Sequence, residues 1–213
     1  MLLDLSEILA CPVCGPPQVM VAVVYESVGH RVTRGFIGCP TCDSRFPIEE
    51  GAVHLLRQEL RESPGVSASS PIPATEEAAM LVGAVLDLAR GSGHVLLGSE
   101  LVAIADAVAG LADRWEVVSL SAELPAHAAG STNVSRIVVP DGESPPVLPG
   151  RCVAVALAGD PPLDRVRQFA SALGPLGRLA IVAPGPGAVK AMQEAGLEVI
   201  ASDDRVAVAS RRS

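Results

Sequence analysis

Cys152-Val153-Ala154-Val155-Ala156-Leu157-Ala158-Gly159-Asp160-Pro161-Pro162 decides how the larger part of this chain folds. Seven apolar residues run without a polar break. A strand covered on one face only would alternate polar and apolar residues. A continuous run reads as a strand buried on both faces, at the centre of a parallel sheet. Cys152 inside it reads as a small core residue. Asp160 can then cap a helix with Pro161 at its first position, running to about residue 173.

The segments on either side repeat this alternation. Residues 75–90 carry apolar positions at helical spacing (Ala79, Val82, Val85, Leu86, Ala89), with Thr75 at the start. Residues 94–97 read as a short strand. Leu101, Ile104, Ala105, Val108 and Leu111 again follow a helical period. Strands are expected over 115–120, 134–139 and 178–183, and a helix over 187–195. Residues 197–201 and 205–209 flank Ser202-Asp203-Asp204 and read as a closing hairpin. The alternation predicts an α/β fold: a mostly parallel sheet, helices on both faces, and one antiparallel strand from the hairpin.

Residues 63–74 mix small residues with prolines and lack periodicity, as a linker does. They divide a head at 1–62 from the body at 75–213. The head holds four of the five cysteines, in Cys11-Pro12-Val13-Cys14 and Cys39-Pro40-Thr41-Cys42. Two Cys-x-x-Cys turns aim four sulfurs at one point, the arrangement of a tetrahedral structural Zn²⁺ site. Four thiolates leave no open position for water. Gly15 and Asp43 suit the left-handed residue that such turns often use. Between the knuckles, 19–25 and 31–37 read as two strands of a hairpin. Residues 45–48 and 53–56 are extended and separated by a turn at Glu50-Gly51. The head is therefore a zinc ribbon.

Composition excludes some functions. A net charge of −8 argues against direct nucleic-acid binding, because phosphate neutralisation needs a basic face. At 2% aromatics, little is available for base stacking, and the core must be built from Ala, Val and Leu. No apolar run reaches the roughly 18 residues of a membrane span. The N-terminus lacks a basic leader region, and paired cysteines favour metal over disulfide, so a cytoplasmic protein is expected. His30, His54, His94 and His127 are scattered, with no catalytic or metal-binding spacing.

Two resemblances follow from particular residues. Leu5-Ser6-Glu7-Ile8-Leu9-Ala10-Cys11-Pro12-Val13-Cys14, Gly38-Cys39-Pro40-Thr41-Cys42 and Phe46-Pro47-Ile48-Glu49-Glu50-Gly51-Ala52-Val53-His54-Leu55-Leu56 resemble the zinc-ribbon activator of tRNA, rRNA and release-factor methyltransferases, the "Trm-one-twelve" family. That resemblance implies Cys11, Cys14, Cys39 and Cys42 as zinc ligands. It also implies a docking role on a methyltransferase, without activity of its own. The body resembles a class I S-adenosylmethionine-dependent methyltransferase. Leu173-Gly174-Pro175-Leu176-Gly177-Arg178 is similar to the segment entering that family's fifth strand, and the closing hairpin is similar to its last two strands.

The family's cofactor loop is reduced here. His94-Val95-Leu96-Leu97-Gly98-Ser99-Glu100-Leu101 keeps one glycine, Gly98, where the resemblance implies Gly-x-Gly-x-Gly, and the loop is about three residues short. No acid ends the strand containing Ser119 and Ser121, and Glu123 lies too far on. Asp141 matches the family's acid near the adenine, although Pro140-Asp141-Gly142-Glu143 also reads as a turn. Asp160-Pro161-Pro162-Leu163 lies where amino-methyltransferases carry their substrate-binding Asp/Asn-Pro-Pro-aromatic loop. These losses count against S-adenosylmethionine as a ligand. They favour a non-catalytic zinc-binding scaffold or activator that docks on a methyltransferase or another translation or RNA-modification partner. Ile48, Val53 and Leu55 would bury against that partner or against the protein's own body. The alternatives are an active methyltransferase with an atypical cofactor loop, and an α/β protein that binds another small ligand.

Overall fold

The computed structural model describes residues 1–55, 75–123, 131–140 and 144–212, and among these eleven strands form one sheet. The head supplies β1 (Val21–Val28), β2 (Arg31–Gly38), β3 (Arg45–Glu49) and β4 (Ala52–His54), each antiparallel to the next. The body supplies β5 (Gly93–Leu97), β6 (Trp115–Ser121), β7 (Val134–Val138), β8 (Cys152–Ala158), β9 (Leu173–Val182), β10 (Leu197–Ser202) and β11 (Val206–Arg211). The order across the sheet is β1-β2-β3-β4-β7-β6-β5-β8-β9-β11-β10. Strands β5 to β9 pair in parallel, and β11 enters antiparallel to both of its neighbours. The residues 63–74 expected to be a linker, and 56–62 before them, lie outside the described residues. So does His127.

The helices are α1 (Glu76–Val85), α2 (Ala105–Leu111), α3 (Leu163–Ser171) and α4 (Ala188–Glu194). They cover both faces, as the apolar run in β8 requires. Ala154, Ala156 and Ala158 share a core with α1 and α2, while Val155 and Leu157 share one with α3 and α4. Successive residues of a strand point to opposite faces, so both sets must be apolar. Cys152 is buried, and desolvation pushes its thiol up to about 12, in keeping with a core role. Among the described residues, no helix is long and apolar enough to cross a membrane.

Element ends differ from the sequence reading where side chains found other partners. α3 starts at Leu163 after Pro162, with no side-chain cap, because the Asp160 carboxylate instead accepts a hydrogen bond from the Gly187 N–H at 3.0 Å. Asp160 thus ties the loop after β8 to the start of α4. Thr75 does cap α1, accepting from the Ala78 N–H at 3.2 Å, but the helix stops at Val85, ahead of Asp87 with φ +58°. The expected helix from Leu101 is a 3₁₀ turn over Ser99–Ile104 followed by α2.

The head and body share one hydrogen-bonded sheet. β4 pairs in parallel with β7, placing Val53 opposite Ile137, and the Leu55 N–H continues the ladder to the Val138 carbonyl at 2.9 Å. A second seam runs below the first knuckle. There the Ala10 N–H donates to the Pro146 carbonyl at 2.9 Å and the Leu148 N–H to the Ile8 carbonyl at 2.7 Å. Arg31 reaches across from β2 to the carbonyls of Ser131, Thr132 and Val134 at 3.2, 2.7 and 3.0 Å. Ile48, Val53 and Leu55 are all buried in the core that these seams enclose. The apolar surface expected to meet a partner or the protein's own body therefore meets its own body.

Within the head, Gly35 marks the tightest strand approach. A Cβ there would lie 2.2 Å from the Val23 carbonyl oxygen. Gly35→Ala is expected to push β1 off β2 and cost about 1–3 kcal/mol, as overpacking does. A urea unfolding midpoint equal to the parent's would contradict this.

Candidate functional site

The four head cysteines converge. Their sulfurs all lie within 4.8 Å of one another, with Cys11 Sγ 3.7 Å from Cys42 Sγ and Cys14 Sγ 3.9 Å from Cys39 Sγ. A disulfide needs about 2.0 Å, so these are free thiols. The turns that hold them close by Gly15 N–H to Cys11 carbonyl and Asp43 N–H to Cys39 carbonyl bonds, at 2.8 and 3.0 Å. Gly15 and Asp43 take the left-handed conformation at φ +71° and +57°. Cys11 and Cys39 are buried while Cys14 is exposed. Crowding sets the groups against one another. The neighbouring Cys42 sulfur holds the Cys14 thiol above its usual range, whereas the Ser44 hydroxyl and N–H hold Cys42 below it. Four thiolates can coexist at this spacing when a cation sits among them, so the cluster can hold a metal ion.

A second cluster lies at the carboxyl ends of β5, β6 and β8, where ligands bind in open α/β sheets. Gly98 ends β5, its N–H bonded to the Ala156 carbonyl at 2.9 Å. A Cβ at Gly98 would meet Glu100 Oε2 at 2.4 Å and Leu157 Cδ2 at 2.8 Å, because the Glu100 side chain folds back over it. Glu100 is 7% exposed. Its Oε1 is 2.9 Å from Arg165 Nη2 on α3. The same nitrogen is 3.3 Å from Ser99 Oγ, and the guanidinium lies over the Phe169 ring at 5.2 Å.

Polar atoms in this region lack partners. Glu100 Oε2, Arg165 Nε, Ser119 Oγ and Ser121 Oγ are buried without a hydrogen bond among the described residues. Each such atom costs roughly 1–3 kcal/mol. Ser119 and Ser121 sit two apart on β6, so they share a face, and Ser121 is its last residue. They stand where an acid is missing from the strand end. Glu123, beyond them, is exposed.

Of the residues singled out from sequence, Gly98 lies in this cluster and the four cysteines form the other, while Asp141 lies outside the described residues. In the sequence Glu100 stood out as part of the shortened loop, and nothing was attached to Arg165. No local signal pairs them, since they meet only when α3 packs beside the turn after β5. The two serines were visible as hydroxyls at a strand end, but only burial shows that they lack partners.

No protein-family model matches the chain, and no curated protein sequence does. Among solved structures, the chain is similar to a 1,6-didemethyltoxoflavin-N1-methyltransferase of Burkholderia thailandensis, solved with 1,6-didemethyltoxoflavin and S-adenosylhomocysteine bound. That likeness has a TM-score of 0.51 at 14% identity and covers 66% of this chain and 79% of that one. It is also similar to a precorrin-6y C5,15-methyltransferase of Geobacter metallireducens, with a TM-score of 0.50 at 14% identity, over 68% of this chain and 92% of that one.

These likenesses correct the expectation of a non-catalytic scaffold or activator. The two neighbours named are methyltransferases, and of the two expectations for Ile48, Val53 and Leu55 the structure shows burial against the protein's own body. The reduced glycine loop counted against the cofactor, whereas the strand order of the body speaks to the fold. That order, β7-β6-β5-β8-β9-β11-β10, is complete. The body has the methyltransferase-like fold of the class I S-adenosylmethionine-dependent enzymes.

Proposed function

We propose that this protein is an S-adenosylmethionine-dependent methyltransferase with an atypical cofactor loop, its zinc ribbon built onto the catalytic body. The observation that carries this reading is the gathering of partnerless buried polar atoms at the carboxyl ends of β5 and β6. A polar ligand at that end would meet the unpaired atoms there. The residues fit the cofactor in kind. Ser119 and Ser121 offer hydroxyls that can donate to or accept from ribose hydroxyls, in place of the usual strand-end acid. Gly98 and the turn after it offer a carboxylate at the strand end. S-adenosylmethionine supplies a methyl group on a positively charged sulfur. The chain's part is to orient that group, and to exclude water with the apolar floor of Leu97, Ala156 and Leu157, all buried.

In the head, the cysteines fit Zn²⁺. A tetrahedron with Zn–S bonds of about 2.3 Å has sulfur–sulfur edges of about 3.8 Å. The observed separations of 3.7 and 3.9 Å bracket that value. Four sulfur ligands close the coordination sphere, which makes the metal structural. The resemblance of the head to methyltransferase-activator ribbons is consistent with this arrangement: the ribbon braces β7, the outer parallel strand of the body, in the same chain.

Calorimetry of the intact chain with S-adenosylhomocysteine is expected to show one site with micromolar affinity. Absence of binding to both S-adenosylhomocysteine and S-adenosylmethionine would overturn the reading. The Ser119→Ala/Ser121→Ala double variant is expected to lose about tenfold in affinity, as for one to two hydrogen bonds. Its unfolding midpoint should not fall, because partnerless hydroxyls contribute nothing to the unliganded fold. A lowered midpoint with unchanged affinity would assign both serines a purely structural role.

A further inference from the structure

Resting on the methyltransferase reading, the geometry points to Glu100 and Arg165 as a clamp for an α-amino-acid end group, an ammonium and a carboxylate on one carbon, taking over the task of the reduced glycine loop. The pairing of these two residues is incomplete in a specific way. Arginine and carboxylate in a buried structural pair commonly meet through two parallel hydrogen bonds. Here only Arg165 Nη2 and Glu100 Oε1 meet, at 2.9 Å. Arg165 Nε and Glu100 Oε2 are each left buried and without a partner. A donor of a cation and an acceptor of an anion are thus left unsatisfied within one ion pair. Neither a lone anion nor a lone cation satisfies both. A zwitterion does, its carboxylate taking the Nε proton and its ammonium donating to Oε2.

The surroundings favour such a ligand. Glu100 Oε2 lies over Gly98, at the end of β5. Ser99 Oγ takes up part of the Nη2 capacity, and the Phe169 ring backs the guanidinium, so the arginine is held in orientation. Arg165 keeps 14% of its side chain exposed and Glu100 8%, while the unpaired Nε and Oε2 are themselves buried. The pair is neutral overall, which suits a ligand whose two charges also cancel. In glycine-rich loops, main-chain approach serves this end of the ligand. With about three residues fewer, side chains must do it.

Two sources carry this chemistry: the amino-acid end of S-adenosylmethionine and a free amino acid. Binding of S-adenosylhomocysteine, 5′-methylthioadenosine (the same nucleoside without the amino-acid end) and L-methionine to the intact chain separates them. The expected result is that S-adenosylhomocysteine binds at least about tenfold more tightly than methylthioadenosine. Glu100→Gln and Arg165→Gln should each remove that advantage, leaving methylthioadenosine affinity within about twofold. Methionine binding as tightly as S-adenosylhomocysteine, and weakened by the same substitutions, supports the clamp with the free amino acid as its ligand. Equal affinity for S-adenosylhomocysteine and methylthioadenosine in the parent protein overturns the clamp and leaves the methyltransferase reading standing. No binding of either nucleoside, and none of methionine, overturns both. The comparison of ligands on the parent protein keeps the test decisive even where a variant fails to fold.

Discussion

Stripping the metal from the four-cysteine site is expected to unfold the ribbon and loosen the sheet of the body with it. The head has no hydrophobic core separate from that of the body. Its buried apolar residues, among them Leu5, Leu9, Ile37, Phe46 and Ile48, share one with Leu96, Val118 and Ile137 of the body. In zinc-finger peptides a structural zinc site contributes about 10–16 kcal/mol at neutral pH. That is comparable to the whole stability of a typical domain, about 5–15 kcal/mol. Cys39→Ser removes a buried thiol of the cluster and is expected to take the metal content from about one per chain to none. With 213 residues, a loss of 5 kcal/mol or more corresponds to a fall in Tm of more than about 10 °C. Because β4 is hydrogen-bonded to β7, amide exchange should accelerate at Ile137 and Val138 as well as in the head. A metal-free protein with its parent Tm, or one whose body amides stay fully protected, would refute the coupling.

The other large effect is expected at the seam itself. Val53 is fully buried at the middle of β4, between Ile48 of β3 and Ile137 of β7. Val53→Asp would place a carboxylate there with no partner. The cost should exceed about 4 kcal/mol, among the largest that single substitutions produce. Val28, at the exposed end of β1 with 72% exposure, provides the comparison. Val28→Asp should change stability by no more than about 0.5 kcal/mol. Guanidinium unfolding of the two variants measures the contrast. Equal costs would mean that the ribbon is not packed on the body in solution.

How far the sequence could be read depends on the range of the interactions concerned. The body's alternation was legible from residues close in the chain: the apolar run of β8, the helical spacing before β5 and after it, and the turn between β10 and β11. The two Cys-x-x-Cys turns were legible for the same reason, since each brings its own two sulfurs to one point. Asp160 shows the limit. A helix cap was the local reading, yet its carboxylate found the Gly187 N–H across the sheet end. The reading of function went wrong at the glycine loop. The reduced motif was weighed alone, whereas the pairing of Glu100 with Arg165 beside Gly98 becomes visible only once α3 is packed.

By itself the sequence determined the classes of structure: strand and helix periods, a four-thiol cluster in the head, an α/β body with one antiparallel strand. These rest on spacing along the backbone, which a chain carries wherever it folds. Only the tertiary structure decided what the apolar ribbon edge buries against, and which polar atoms are left without partners. β4 could have paired with another molecule, but β7 of the same chain is at hand and presents Ile137 to Val53. Glu100 and Arg165 become a pair, and Ser119 and Ser121 become buried orphans, only when helices and loops far apart in sequence close over the same strand ends. Burial and pairing across such distances are properties of packing, and no local pattern records them.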